Sequence, residues 1–262
     1  MYKQDEIIML WPGTAPYSEY SPDQAQPSLK AFPTEGARGA VVVLPGGGYA
    51  YKAPHEGDPV ARMLNAQGIA AYVLDYRVAP CHCEAPLADV QRAVRVLRLA
   101  GYEKVAVLGF SAGGNLCCAS AVLWDRGNPD SDDPAERLSS RPDAFIPCYA
   151  VVSMGRYTHA GSRNNLLGTE KDNPRLLSRF SAELNVTDET PPAFIWHTSE
   201  DGSVPPQNSL LLAKALADHG ILFELHIYPR GHHGIGLGSE LPPASGWGTD
   251  CCRFLLTHGF GV

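Results

Sequence analysis

The chain has 262 residues, 44% of them apolar and 19% charged, with a formal net charge of −7. These proportions are ordinary for a globular protein, and the length lies within reach of one α/β domain. The acidic balance, with no basic stripe, argues against a nucleic-acid or anionic-membrane partner.

The opening stretch MYKQDEIIMLWPGTAP has an apolar run only from Ile7 to Trp11, acids before it and no small-residue cleavage site, so it does not read as a signal peptide. No segment approaches the roughly 18 apolar residues of a membrane span. AVVVL, Ala40 to Leu44, runs into PGGG and predicts a buried strand entering a tight loop. DPVARMLNAQG has helical spacing at Val60, Ala61 and Leu64, with Gly68 as its stop. IAAYVLDYR is a second buried strand. PLADVQRAVRVLRLAG is an amphipathic helix with Val90, Val94 and Leu97 on one face and Arg92, Arg95 and Arg98 largely off it. KVAVLGF is a third strand, with the helical AGGNLCCASAVLW directly after it.

Residues 125–143, rich in Pro, Asp and Ser, read as a long loop or small excursion. AFIPCYAVVS, PAFIWHT and FELHIYP are further strands, and PPQNSLLLAKALADHG is a helix with a proline start and a glycine stop. The alternation predicts a mostly parallel sheet with helices on both faces, in one α/β domain over residues 1–262. The seven cysteines are odd in number and include the adjacent pairs Cys117–Cys118 and Cys251–Cys252. They read as reduced thiols and point to the cytoplasm. CHCE, Cys81 to Glu84, offers three metal-ligand types, but no second pair stands at zinc-site spacing, so neither metal nor cofactor is expected.

The chemistry lies in LGFSAGGN. Gly109-Phe110-Ser111-Ala112-Gly113 is a G-x-S-x-G sequence between a strand and a small-residue helix, the setting that holds a nucleophilic serine on a strained turn. The helix N-terminus behind Ser111 adds positive potential where an oxyanion would form. Gly46-Gly47-Gly48, after the first buried strand, lets backbone N–H groups approach a ligand unobstructed. An acid is expected in the loop after PAFIWHT, where Glu200 and Asp201 both stand, and a base in the loop after FELHIYP, where His232 and His233 are adjacent. His159, His219 and His258 lack that position and read as surface residues.

Over nearly its whole length the chain resembles the acetyl esterase and acetylxylan-esterase-like branch of the α/β hydrolases, related to the hormone-sensitive-lipase group. The resemblance is carried by LPGGGYAY, VLGFSAGGNL, GSRNNLLG, TPPAFIWHTSEDGSVPP and ELHIYPRGHHGIGL, among others. It implies a single α/β-hydrolase domain without a large cap. The family pattern H-T-x-x-D-x-x-V-P selects Asp201 over Glu200, and G-x-H-G selects His233 over His232. The resemblance also implies oxyanion donors from Gly47, Gly48 and Ala112. Relatives in the lipase group carry histidine before the glycine triplet, where this chain has Pro45, and many close relatives have histidine where it has Asn115.

The expected function is hydrolysis of short-chain, chiefly acetyl, esters on sugars or xylo-oligosaccharides through a Ser111–His233–Asp201 acyl-enzyme. Activity should fall on acidification as His233 takes up a proton. Tyr49, Tyr51, His55 and Asn115 are candidates for the substrate pocket, with packing under the loop as the alternative. The expected partner is a small ester or acetylated oligosaccharide, with a homo-oligomer open. The rival readings are a general short-chain carboxylesterase and a non-catalytic ligand-binding relative of the same fold.

Overall fold

The computed structural model describes residues 2–262. Strands β3 (Gly39–Leu44), β4 (Ala70–Asp75), β5 (Lys104–Phe110), β6 (Ala144–Cys148), β7 (Ala193–Thr198) and β8 (Phe223–Tyr228) run parallel in the spatial order β4-β3-β5-β6-β7-β8. Strands β1 (Ile7–Met9) and β2 (Ser28–Phe32) extend the β4 edge, with β2 antiparallel to β4 and β1 antiparallel to β2. That antiparallel pair was not anticipated. Its first strand is three residues long and its second follows a Pro-rich polar stretch, so neither offers a periodic signal.

Alternate residues of each central strand serve opposite faces. In β3, Ala40, Val42 and Leu44 join one apolar layer, and Val41 and Val43 join the other. The first layer is closed by α2 (Ala85–Leu99), α3 (Ser111–Val122) and α6 (Gln207–Asp218), the second by α1 (Asp58–Asn65) and α7 (Trp247–Thr257). Double-sided burial explains why the central strands read as unbroken apolar runs. α1 ends ahead of Gly68, whose φ of +76° suits glycine, and α6 ends ahead of Gly220 at φ +67°. Helices α4 (Ala160–Leu167) and α5 (Pro174–Arg179), between β6 and β7, have weak periodicity and escaped the sequence reading, as did α7.

Off the apolar face of α2, Arg92 and Arg95 are nonetheless only 4% and 6% exposed. Arg92 binds Asp133 (2.6 Å), Glu136 (2.8 Å) and the Leu10 carbonyl (2.7 Å). Arg95 binds Asp125 and the Leu138 carbonyl, and Arg98 binds Asp143 and the Arg141 carbonyl. The 125–143 excursion is therefore clamped across α2. No hydrogen bond ties it to Ser111, Asp201 or His233 among the described residues. Among those residues, no helix is long and apolar enough to cross a membrane.

Candidate active site

Strand β5 ends at Phe110 and α3 begins at Ser111, so one residue makes the whole reversal. Ser111 does so at φ +53°, a left-handed conformation that costs a side-chain-bearing residue about 1–2 kcal/mol. The turn is tight enough to dictate its neighbours. A Cβ on Gly109 would lie 2.1 Å from the Gly113 carbonyl oxygen, and one on Gly113 would lie 2.3 Å from the Leu44 carbonyl oxygen. The two glycines of the motif are thus steric requirements of the turn.

The Ser111 hydroxyl lies 2.8 Å from Nε2 of His233, and Nδ1 of His233 lies 2.7 Å from Oδ2 of Asp201. With Nδ1–H donating to the carboxylate, Nε2 is left to accept from the serine. Asp201 Oδ1 accepts from the amides of Ser203 (2.9 Å) and Val204 (2.8 Å). Burial opposes its ionisation, but bonds from His197, His233 and the Val204 amide prevail and hold its carboxyl well below the usual range. Glu200 turns away to pair with Arg230 at 2.6 Å. His232 is exposed and bonds its Nδ1 to the carbonyl of the next residue, so His233 alone of the pair reaches the serine.

The glycine triplet folds with φ +123° at Gly47 and +65° at Gly48. The Gly46 amide is already taken by the Glu56 carboxylate at 2.7 Å. The amides of Gly47 and Gly48 have no acceptor among the described residues, and the Ala112 amide opens the first turn of α3. Gly46, directly before Gly47, lies against the serine elbow: a Cβ on it would come 3.1 Å from the Ser111 Cβ.

The four pocket candidates separate. Tyr49 and Asn115 are enclosed and bond to each other (Tyr49 Oη to Asn115 Oδ1, 2.9 Å), and Asn115 also donates to the Phe180 carbonyl. Both are packed beneath the loop, the alternative that the sequence left open beside a place in the pocket. Tyr51 is exposed and packs against Gly47. His55 reaches from beyond the glycine triplet to the Gly234 carbonyl, 2.9 Å, beside His233.

Two further histidines bear on the site. His159, read from sequence as a surface residue, is half-buried. Its Nδ1 accepts from the Ser162 amide to cap α4, and burial and the nearby His233 push its pKa down. α4 in turn holds the glycine triplet, with Asn165 donating to the Gly48 carbonyl at 2.8 Å. His197, fully buried, has Nε2 2.9 Å from the Val204 carbonyl and 3.4 Å from Asp201 Oδ2, and steadies that carboxylate from behind. Its only trace in the sequence is the first letter of the H-T-x-x-D pattern. Glu56 and Tyr149 carried no signal at all, because their contacts join positions far apart in the chain.

The BD-FAE family model matches residues 31–216. The chain belongs to the BD-FAE family. Its fold matches the crystal structure of an acetyl ester-xyloside bifunctional hydrolase from Caldicellulosiruptor lactoaceticus, at a TM-score of 0.94 and 40% identity over 99% of this chain and 98% of that one. It is 39% identical to endo-1,4-beta-xylanase B of Butyrivibrio fibrisolvens over 80% of its length, and 34% identical to an acetylxylan esterase of Xylanibacter ruminicola over 83%. The chain spans only 34% and 45% of the length of these two curated relatives. The resemblance of this BD-FAE member to acetyl esterases and acetylxylan esterases of the α/β-hydrolase fold is thereby borne out.

Proposed function

We propose that the chain is a carboxylic ester hydrolase acting on short acyl, chiefly acetyl, esters of sugars or xylo-oligosaccharides. The observation that carries the reading is the continuous hydrogen-bonded line from Ser111 Oγ through His233 to Asp201, set on a strained elbow with a glycine triplet beside it. His233 Nε2 takes the hydroxyl proton as Ser111 Oγ attacks the ester carbonyl, while Asp201 holds the tautomer and stabilises the imidazolium. The amides of Gly47, Gly48 and Ala112 receive the oxyanion, each donor worth about 3 kcal/mol in comparable sites. His233 then protonates the departing alcohol. In the second half it takes a proton from water, whose oxygen attacks the acyl-enzyme, and Ser111 regains its hydrogen as the acid leaves.

Acetyl specificity and the sugar alcohol rest on the kinship with acetylxylan esterases. Tyr51, exposed beside the oxyanion loop, offers a face on which a sugar ring can stack. The seven thiols are all unpaired, which supports a reducing compartment such as the cytoplasm, and residues 1–262 are taken to work as one unit.

The test is kcat/KM for p-nitrophenyl acetate, butyrate and octanoate beside acetylated xylo-oligosaccharides, with Ser111→Ala as blank. A steep acetyl preference with efficient sugar deacetylation supports the reading. Turnover of simple esters with poor sugar deacetylation would leave a general short-chain esterase, and equal rates for wild type and Ser111→Ala would remove the mechanism.

A further inference from the structure

A carboxylate lies behind the site that the acyl-transfer scheme does not use. Glu56 is 2% exposed and has no lysine or arginine partner among the described residues. The nearest cation-forming group is His55 Nε2, 3.7 Å away and itself spent on the Gly234 carbonyl. A buried carboxylate left so nearly alone is costly unless hydrogen bonds replace its hydration. Here they do. Oε2 accepts from the Gly46 amide at 2.7 Å, and Oε1 accepts from the Tyr149 hydroxyl at 2.6 Å. Burial and the neighbouring carboxylate raise the Tyr149 pKa, so the phenol stays protonated and donates. Its oxygen in turn accepts from the Gly236 amide at 2.9 Å, and its ring meets that of His233 edge-on at 5.1 Å.

These bonds make one line: Gly46 amide, Glu56, Tyr149, Gly236 amide. At one end is the residue before Gly47 and Gly48, at the other the glycine loop that carries His233. We propose that Glu56 is a positioning residue that, through Tyr149, ties the oxyanion loop and the base loop to a single buried carboxylate. Pro45, directly before the triplet, offers no N–H. Glu56 fixes the first amide of the triplet and leaves the next two for the oxyanion. The kinetic half of the inference rests on the esterase reading; the structural half does not.

The test compares Glu56→Gln and Tyr149→Phe with wild type. In Glu56→Gln one acceptor oxygen becomes an N–H₂, which either confronts the Gly46 N–H donor to donor or turns the Tyr149 O–H away from its acceptor. Its kcat for p-nitrophenyl acetate is expected to fall about 10- to 100-fold with KM within about threefold, because the loops are needed in place only for the transition state. Hydrogen exchange, which requires no turnover, reads the bridge directly. Glu56→Gln should accelerate exchange in both 46–51 and 231–238, and Tyr149→Phe chiefly in 231–238. Acceleration confined to 46–51 in Glu56→Gln, or a kcat equal to wild type, would overturn the proposal. If Glu56→Gln does not fold, Tyr149→Phe decides: unchanged kcat and unchanged exchange in 231–238 overturn it. Should wild type prove no more active than Ser111→Ala, the esterase reading falls while the exchange pattern still decides the bridge.

Discussion

Replacing a helical glycine by alanine ordinarily stabilises a protein, by up to about 1 kcal/mol, since glycine is the poorer helix former. Gly113 sits in the first turn of α3, yet the structure predicts the opposite for Gly113→Ala. The new Cβ would fall 2.3 Å from the Leu44 carbonyl oxygen and 2.6 Å from that of Pro45, against the 3.4 Å at which ordinary contact begins. The shortfall is about 1.1 Å, and both obstacles are backbone. Pro45 cannot easily retreat, because its carbonyl is held by the Tyr76 hydroxyl at 2.6 Å. Either α3 tilts outward, carrying Ser111, or the end of β3 shifts, carrying the glycine triplet. In both cases nucleophile and oxyanion donors separate by about 1 Å, a displacement that costs on the order of 100-fold in rate. Forced overpacking adds about 1–3 kcal/mol of instability, at about 2–4 °C in Tm per kcal/mol for a chain of this size. The assay is kcat and KM for p-nitrophenyl acetate together with a thermal melt. A Tm equal to or above wild type with kcat within about threefold would refute the steric account of the elbow.

Further predictions concern the triad and its frame. His232→Ala should leave kcat within about twofold, since its ring serves only the neighbouring carbonyl, whereas His233→Ala should lose nearly all turnover; parity between the two would reverse the assignment. Asp201→Asn should lower kcat by about 10⁴-fold by disturbing the histidine tautomer. Because the folded Asp201 carboxyl ionises below its ordinary value of 3.8, its stabilising contribution is complete above about pH 4 and lost as pH falls further. The gap in urea midpoint between wild type and Asp201→Asn should therefore narrow below that point; a gap that widens on acidification would contradict the sign. Asp89→Ala strands the Arg77 guanidinium, which is 2% exposed and binds Asp89 through three contacts of 2.6–3.2 Å, and should cost about 3–5 kcal/mol by urea unfolding. A loss under about 1 kcal/mol would show that water reaches the pair.

What the sequence disclosed follows a physical division. Strands buried on both faces, such as β3 and β5, announce themselves as unbroken apolar runs, and the serine elbow is a local motif whose glycines answer to local sterics. Asp201 over Glu200 and His233 over His232 were chosen by family resemblance. The reason for each choice, Glu200 paired with Arg230 and His232 turned to its own backbone, exists only in three dimensions. Periodicity puts Arg92 and Arg95 off the apolar face of α2 but is blind to the carboxylates of residues 125–143 that cover the face they occupy. Glu56 was illegible for the same reason: its tyrosine partner lies 93 residues away.

The spatial order of the strands explains why such distant residues converge. At the C-terminal ends of β3, β5, β6, β7 and β8, neighbours in that order, lie the oxyanion loop, Ser111, Tyr149, Asp201 and the loop of His233. Acid and base follow adjacent strands and meet easily. Base and nucleophile do not: β8 is three strands from β5, about 14 Å across the sheet. Residues 229–233, at about 3.3–3.6 Å each, can span about 17 Å, enough to bring the ring back over β6. A loop so extended, with glycine at 231, 234, 236 and 238, needs anchors to hold one conformation, and the structure supplies them from every strand it crosses. Thr198 at the end of β7 binds the Gly231 carbonyl, Tyr149 just past β6 takes the Gly236 amide, and His55 beyond β3 reaches the Gly234 carbonyl. His233 is thus positioned by contacts distributed across the sheet, and the buried polar residues among them are there because the strand order makes the histidine travel.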